Sequence, residues 1–172
     1  MIHHVTAGQL DGRLDGLTGI LLACVRGGAS VNFMLPFEAA EARAFWTGLR
    51  PRLAGGGIVL LAAEADGRLV GTVQLQLASQ PNQAHRADLA KLLVHPDARG
   101  RGIATALVRA IEAEATALGR TLLTLATVPG SPADRLYRRL GYVAAGAIPD
   151  YARMPDGPLV ETTLFYKRLA AA

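Results

Sequence analysis

The chain has 172 residues, 51% of them apolar, 19% charged and 5% aromatic, which suits one domain with an aliphatic core and leaves too little for two. With 18 basic residues against 14 acidic ones the net charge is +4, a balance that favours an anionic partner without naming it. The apolar stretch 17–25 stops at Arg26, short of the roughly 20 residues of a membrane span. Met1-Ile2-His3-His4 lacks the basic flank and apolar run of a secretory leader, so a cytoplasmic protein is expected. The single cysteine, Cys24, excludes an internal disulfide, and four scattered histidines have no zinc-site spacing, so no metal is expected.

Leu10, Leu14, Leu17, Leu21 and Val25 recur at helical steps before Gly27-Gly28 and predict an amphipathic helix. A second helix is predicted over 38–53, with Ala39, Ala42, Phe45, Trp46 and Leu49 on one side, after Pro36 and before Gly55-Gly56-Gly57. Residues 58–65 form a nearly continuous apolar run, Asp66-Gly67 signals a tight turn, and 69–77 alternates, which predicts an antiparallel hairpin. A polar loop at 79–83 leads to a third strand over 86–94 that stops at His95-Pro96. A long helix over 101–117 carries Ile103, Leu107, Ile111 and Ala115 on one stripe. Then come a strand over 121–128, a short helix opened by Ser131-Pro132 and closed by Gly141, extended chain over 142–148, and a last strand over 161–168. This order predicts one α/β (α+β) domain over 1–172 with a mixed sheet and no repeat or linker.

Residues 95–104 carry the chemistry. They leave a strand of mostly buried types, Leu89, Leu92, Leu93 and Val94, and enter the first turn of the long helix. Gly100 and Gly102 let the backbone curl so that successive amides aim at one anion, and the helix N-terminus adds its dipole. Arg99 and Arg101 add positive charge. The pattern reads as a pyrophosphate cradle. It is not a dinucleotide fingerprint, because Thr105 stands where the third glycine belongs, and no Gly-Lys-Ser/Thr of a P-loop follows.

Arg99-Gly100-Arg101-Gly102-Ile103-Ala104 resembles the Arg/Gln-x-x-Gly-x-Gly/Ala signature of the GCN5-related N-acetyltransferases (GNAT), and Leu136-Tyr137-Arg138-Arg139-Leu140-Gly141-Tyr142 is similar to their Leu-Tyr-x-x-x-Gly-Phe element. The resemblance covers about 58–168, and the segments 148–152 and 156–157 look like the tabtoxin-resistance acetyltransferases. It implies the GNAT fold, with a mostly antiparallel central sheet flanked by helices, and acetyl-CoA as co-substrate. The coenzyme would lie against Leu92, Leu93 and Val94, the loop residues Arg99 to Ala104 and Ser131.

In that setting Tyr137 is the expected acid for the departing thiolate, and Asp88, an acidic residue inside a strand, is the expected base. Asp88 has a second reading as the partner of Arg86 or Lys91, and His85 or a water chain is the alternative base. Ala126 stands where related chains of this branch can carry a second acid. The acceptor pocket is expected around Phe33, Trp46, Asn82, His85 and Tyr151. Cys24, on an apolar helix face, is expected to be packing rather than an acyl carrier, so transfer should be direct.

The expected partner is a small-molecule amine. Spread basic residues interleaved with acids argue against a nucleic-acid surface, and no membrane is expected. A monomer or homodimer fits equally. A coenzyme-binding sensor without catalysis, or an enzyme acting on a protein N-terminus or lysine, is the alternative.

Overall fold

The computed structural model describes residues 1–170. A short strand, β1 (Ile2–His4), precedes the helices α1 (Leu10–Arg26), α2 (Ala39–Gly48) and α3 (Arg50–Ala54). The hairpin β2 (Ile58–Ala65) and β3 (Arg68–Leu77) is followed by β4 (Arg86–Val94), α4 (Ile103–Ala117), β5 (Leu122–Thr127), α5 (Pro132–Arg139), β6 (Val143–Arg153) and β7 (Leu159–Arg168). One seven-stranded sheet runs β1-β2-β3-β4-β5-β7-β6, antiparallel everywhere except between β4 and β5. This is the α+β, mostly antiparallel architecture expected.

Two apolar layers hold the sheet. On one face Leu107, Val108, Ile111 and Ala115 of α4 pack on Val73, Leu75, Ala87, Leu89 and Leu123, with Leu136 and Tyr137 of α5 continuing the layer. On the other, Leu14, Leu17 and Leu21 of α1 and Ala42 and Trp46 of α2 cover Leu60, Ala62 and Leu93. The i, i+3/i+4 spacing of the leucines in α1 makes such a stripe, and each fully buried leucine contributes about 1.5–3 kcal/mol.

The predicted second helix is two helices. Pro51 lacks the amide that would donate back to Thr47, so the chain breaks at Leu49 and restarts as α3. β1 was not foreseen, and β6 runs to Arg153 rather than ending at 148.

Two irregularities position the site. β4 and β5 pair only at Arg86↔Leu122, Ala87↔Leu123 and Asp88↔Thr124, then part, so that a gap opens between their C-terminal halves. In β4 itself, Lys91 and Leu92 together face the single residue Val73 of β3, a bulge with Lys91 at φ 50°. Ala87 and Leu89 therefore face α4, whereas Leu93, of the same parity, sits in the α1–α2 layer.

Candidate active site at the parting of two strands

The loop after β4, the expected anion cradle, leaves a run of backbone amides without acceptors. Gly100 and Gly102 both adopt φ 77°, a left-handed conformation that costs other residues about 1–2 kcal/mol. No backbone or side-chain acceptor in the described residues receives the amides of residues 100–105; the first bond of the turn is from Ala106 to the Gly102 carbonyl. A Cβ at either glycine would meet nothing within 4 Å, so the space above the loop is open. Gly71 is constrained differently. Its missing Cβ would lie 3.0 Å from Leu107 Cδ1 and 3.2 Å from Ile103 Cγ2, so glycine lets the first turns of α4 settle on the sheet.

The two arginines of the loop are engaged by the protein. Arg101 pairs with Asp66 of the β2–β3 turn at 3.4 Å. Arg99 Nε donates to the Val94 carbonyl at 3.3 Å, and its guanidinium lies 4.0 Å from the Cys24 sulfur. The donors that the protein leaves free in this loop are thus backbone amides rather than guanidinium groups. Cys24 is buried as expected; its thiol donates to Val94 O at 3.4 Å, and burial pushes it up despite the nearby Arg99, against thiolate formation.

The edge of β4 facing the gap carries a second set of groups. Ala78 N donates to Arg86 O at one end of the β3–β4 ladder, and His95 N donates to Val70 O at the other. Antiparallel alternation then turns the backbone of Leu92 and Val94 away from β3, towards the gap, whereas Lys91, in the bulge, still meets β3 through Thr72. The carbonyl of Lys91 accepts from Thr72 Oγ1 and that of Val94 from Arg99 and Cys24. This leaves Leu92 with its N–H and C=O directed into the gap. Leu93 turns its backbone to β3 and its side chain into the core. Of residues 92–94, Leu92 is the one placed to bond a ligand through both backbone groups.

Asp88 occupies the last paired position before the strands part. Its Oδ1 accepts from Arg86 at 2.6 Å and from the Thr124 hydroxyl, while Arg86 also binds Gln83 Oε1 at 2.8 Å. The ion pair with Arg86 is formed, yet the Asp88 side chain stays 43% exposed.

Tyr137 lies in the α4–α5 layer, 4% exposed, edge-on to Tyr142 with ring centroids 5.2 Å apart. Burial alone pushes its phenol well above the usual value, so the hydroxyl stays protonated. Ser131 caps α5, its Oγ accepting from Asp134 N at 3.1 Å, and lies 3.4 Å from Thr127 Oγ1.

The residues expected around the acceptor separate. Phe33 packs on Phe37 and Phe45, with centroids at 4.7 and 5.3 Å, on the α1–α2 face of β4. Trp46 is 0% exposed and donates through Nε1 to Leu17 O at 2.9 Å, so it is a core residue beneath Phe45 and no pocket wall. Asn82 and His85 are exposed near the start of β4, the end opposite the glycine loop, and Tyr151 is exposed on β6.

Gln74 was not singled out from the sequence, and Lys91 only as a possible partner of Asp88, which pairs with Arg86 instead. Lys91 places its ammonium 5.6 Å from the Phe33 ring centre and 5.5 Å from that of Phe45, and burial pushes it down. Gln74 is wholly buried; its Oε1 accepts from Gln76 at 3.2 Å and its Nε2 has no partner. A buried donor left unpaired costs about 1–3 kcal/mol. Gln74 and Gln76 stand at alternate positions of one strand, which in the sequence gives no sign that one of them is wholly buried.

Among the described residues no group of three or more His, Cys, Asp or Glu is arranged to hold a metal, and no helix is long and apolar enough to cross a membrane.

Residues 30–142 match the model of the Acetyltransferase (GNAT) family. A mycothiol acetyltransferase of Parafrankia sp. is 35% identical over 85 residues, 49% of this chain and 24% of that protein, so the chain spans about a quarter of that relative's length. The ribosomal-protein-alanine N-acetyltransferase of Brucella melitensis superposes with a TM-score of 0.78 at 23% identity, over 98% of this chain and 99% of that one. The GNAT superfamily phosphinothricin acetyltransferase of Sinorhizobium meliloti, solved in complex with acetyl-CoA, gives 0.80 at 20% identity, over 99% and 88%. At these identities the two structures speak for the fold. The matched family region contains the parted strands, the glycine loop and the tyrosine helix, and the chain belongs to the GNAT family of acetyltransferases.

Proposed function

We propose that the protein is an N-acetyltransferase that moves the acetyl group of acetyl-CoA directly to a primary amine of a small molecule. The observation that carries this reading is the run of unbonded amides over 100–105 at the head of α4, immediately after the strand that parts from its parallel neighbour. Aligned amides with open space above suit a pyrophosphate, and the unpaired edge of β4 suits the amides of a pantetheine arm, which bind as an added strand would.

The amine nitrogen attacks the thioester carbonyl carbon and the carbon–sulfur bond breaks. The Leu92 N–H polarises that carbonyl. Asp88 takes the proton from the ammonium, directly or through water, at its Oδ2, since Oδ1 is held by Arg86 and Thr124. Tyr137 donates to the departing sulfur, and the second proton that the nitrogen loses as the amide forms ends on that sulfur, so that free thiol leaves and the phenol, held neutral by burial, is restored. Arg99, Arg101 and Ser131 support the cradle, and Phe33 is the expected pocket residue best placed over β4.

The small-molecule reading is favoured by the loop that carries Phe33. Leu35 N donates to Pro155 O at 2.8 Å and Ser30 Oγ to Arg153 O at 3.3 Å, so this loop is tied to the β6–β7 turn, a restricted entrance for a polypeptide. That turn also holds residues 156–157, on which the resemblance to tabtoxin-resistance acetyltransferases partly rests.

The test is thiol release from acetyl-CoA with a panel of small amines, N-terminal peptides and lysine peptides. Release with small amines supports the reading. Release with peptides alone points to a protein substrate, and acetyl-CoA binding without release to any amine points to a sensor.

A further inference from the structure

Lys91 stands where its backbone is least suited to it. At φ 50° a glycine is relaxed and a residue with a Cβ is not, so the side chain there has a use that offsets strain. In an unbroken strand Lys91 would share the parity of Ala87 and Leu89 and point under α4. The bulge instead carries its ammonium over Phe33 and Phe45, on the α1–α2 face. No carboxylate meets it: none of the ion pairs among the described residues involves Lys91. On its own strand Asp88 is committed to Arg86, and past the strand end Asp97 lies beside His95; on the helical side Asp11, Asp15 and Glu38 pair with Arg50, Arg43 and Arg26, while Glu41 of α2 is exposed and makes no ion pair, with Lys91 or any other group.

A second, independent group lies on this face. Gln74 pairs across the sheet with Leu60 on one side and Ala90 on the other, and Leu60 belongs to the α1–α2 layer. Its side chain therefore shares the α1–α2 face with Lys91, opposite Ala90, the residue that precedes the lysine. Gln74 Nε2 is a fully buried donor with no acceptor. One cation that rests on two aromatic rings and meets no carboxylate, and one neutral donor without an acceptor on the same face, match a ligand with one negative charge and two oxygens better than a phosphate or a second cation.

Building on the acetyltransferase reading, we infer that Lys91 and Gln74 form a carboxylate subsite, and that the acceptor is an amine bearing a carboxylate near its nucleophilic nitrogen, of the amino-acid type. Lys91 immediately precedes Leu92, whose backbone faces the gap, so a small acceptor anchored at the ammonium stays close to the reacting carbonyl. Diamines and polyamines would bring a second positive charge to Lys91 and be repelled.

The experiment compares amino acids with their carboxamides and with the matching decarboxylated amines, by thiol release from acetyl-CoA. The wild-type protein is expected to prefer the carboxylates in kcat/KM by about tenfold or more, the factor that a charge-assisted bond supplies. Lys91→Met is expected to raise the acceptor KM and abolish the preference, and Lys91→Glu to reverse it, with the KM for acetyl-CoA unchanged in both. Lys91→Gly, which the positive φ favours, provides a variant in which folding is not at stake. Thiol release with no preference for carboxylates, or a preference that survives Lys91→Gly, overturns the subsite and leaves the acetyltransferase reading standing. Acetyl-CoA binding with no release to any amine overturns both.

Discussion

Asp88 and Thr124 face each other at the last paired position of β4 and β5, and the threonine hydroxyl donates to the carboxylate where the strands separate. The acid thus sits at the closed end of the gap, oriented by Thr124 and Arg86 and open to solvent on its other side.

If Asp88 accepts the ammonium proton, Asp88→Asn should lower kcat about a hundredfold at neutral pH and recover part of the loss as pH rises towards the pKa of the acceptor amine. Thr124→Val, which frees the carboxylate without removing it, should cost less. His85→Ala should leave the profile in place. Profiles of kcat/KM from pH 6 to 10 separate these, and an Asp88→Asn loss that does not change with pH would assign the residue to the ion pair with Arg86 alone.

If the Tyr137 hydroxyl acts on the departing sulfur, Tyr137→Phe should lower kcat about tenfold to a hundredfold with acetyl-CoA affinity nearly unchanged. Burial raises the phenols of both Tyr137 and Tyr142, the latter with the Glu112 carboxylate adding to the effect. The neutral forms are those stabilised by folding. Their contribution is complete below the unfolded value of about 10 and is lost as pH rises beyond it, since the unfolded chain then ionises first. Melting temperatures should fall above pH 10, and fall less in Tyr142→Phe.

The cradle makes a division between backbone and side chain. Gly102→Ala places a Cβ on a residue at φ 77°, which should destabilise the loop by about 1–2 kcal/mol and raise the KM for acetyl-CoA at least tenfold. Arg101→Ala removes an exposed pair with Asp66, so stability should change by less than about 0.5 kcal/mol, while coenzyme affinity drops a few-fold and its salt dependence weakens. Calorimetric titration with acetyl-CoA at two ionic strengths checks both.

At Gly71 the constraint is space. Gly71→Ala puts a methyl group against Leu107, Ile103 and the Leu93 carbonyl, so α4 must lift from the sheet and carry its amides with it. The expected outcome is a weaker coenzyme complex at nearly normal acceptor KM, measured by steady-state kinetics in both substrates.

The residues that announced themselves in the sequence are those whose function is tied to local pattern. The leucine spacing of α1, the Asp66-Gly67 turn and the two glycines before α4 each act within a few residues, and all stand where the sequence reading put them. β1 escaped because three residues carry no period, and it exists only by pairing with Ala62 and its neighbours. Trp46 misled because helical spacing says which face of α2 is apolar and is silent on what covers it; α1 does. Lys91 and Gln74 were hidden by the bulge. In the sequence, Leu92-Leu93-Val94 continues an apolar run, and nothing local tells that one extra residue has exchanged the faces of the strand.

The parted strands also bear on how the molecule holds together. Between β4 and β5 the sheet is joined across only Arg86, Ala87 and Asp88, so the β1–β4 half and the β5–β7 half meet along a seam that is largely open. A coenzyme lying in that seam would bond to one half and pack on the other, serving as mortar as well as reagent. The protein should then stiffen when loaded and loosen after turnover, and its melting temperature should climb with acetyl-CoA concentration even when no acceptor is present.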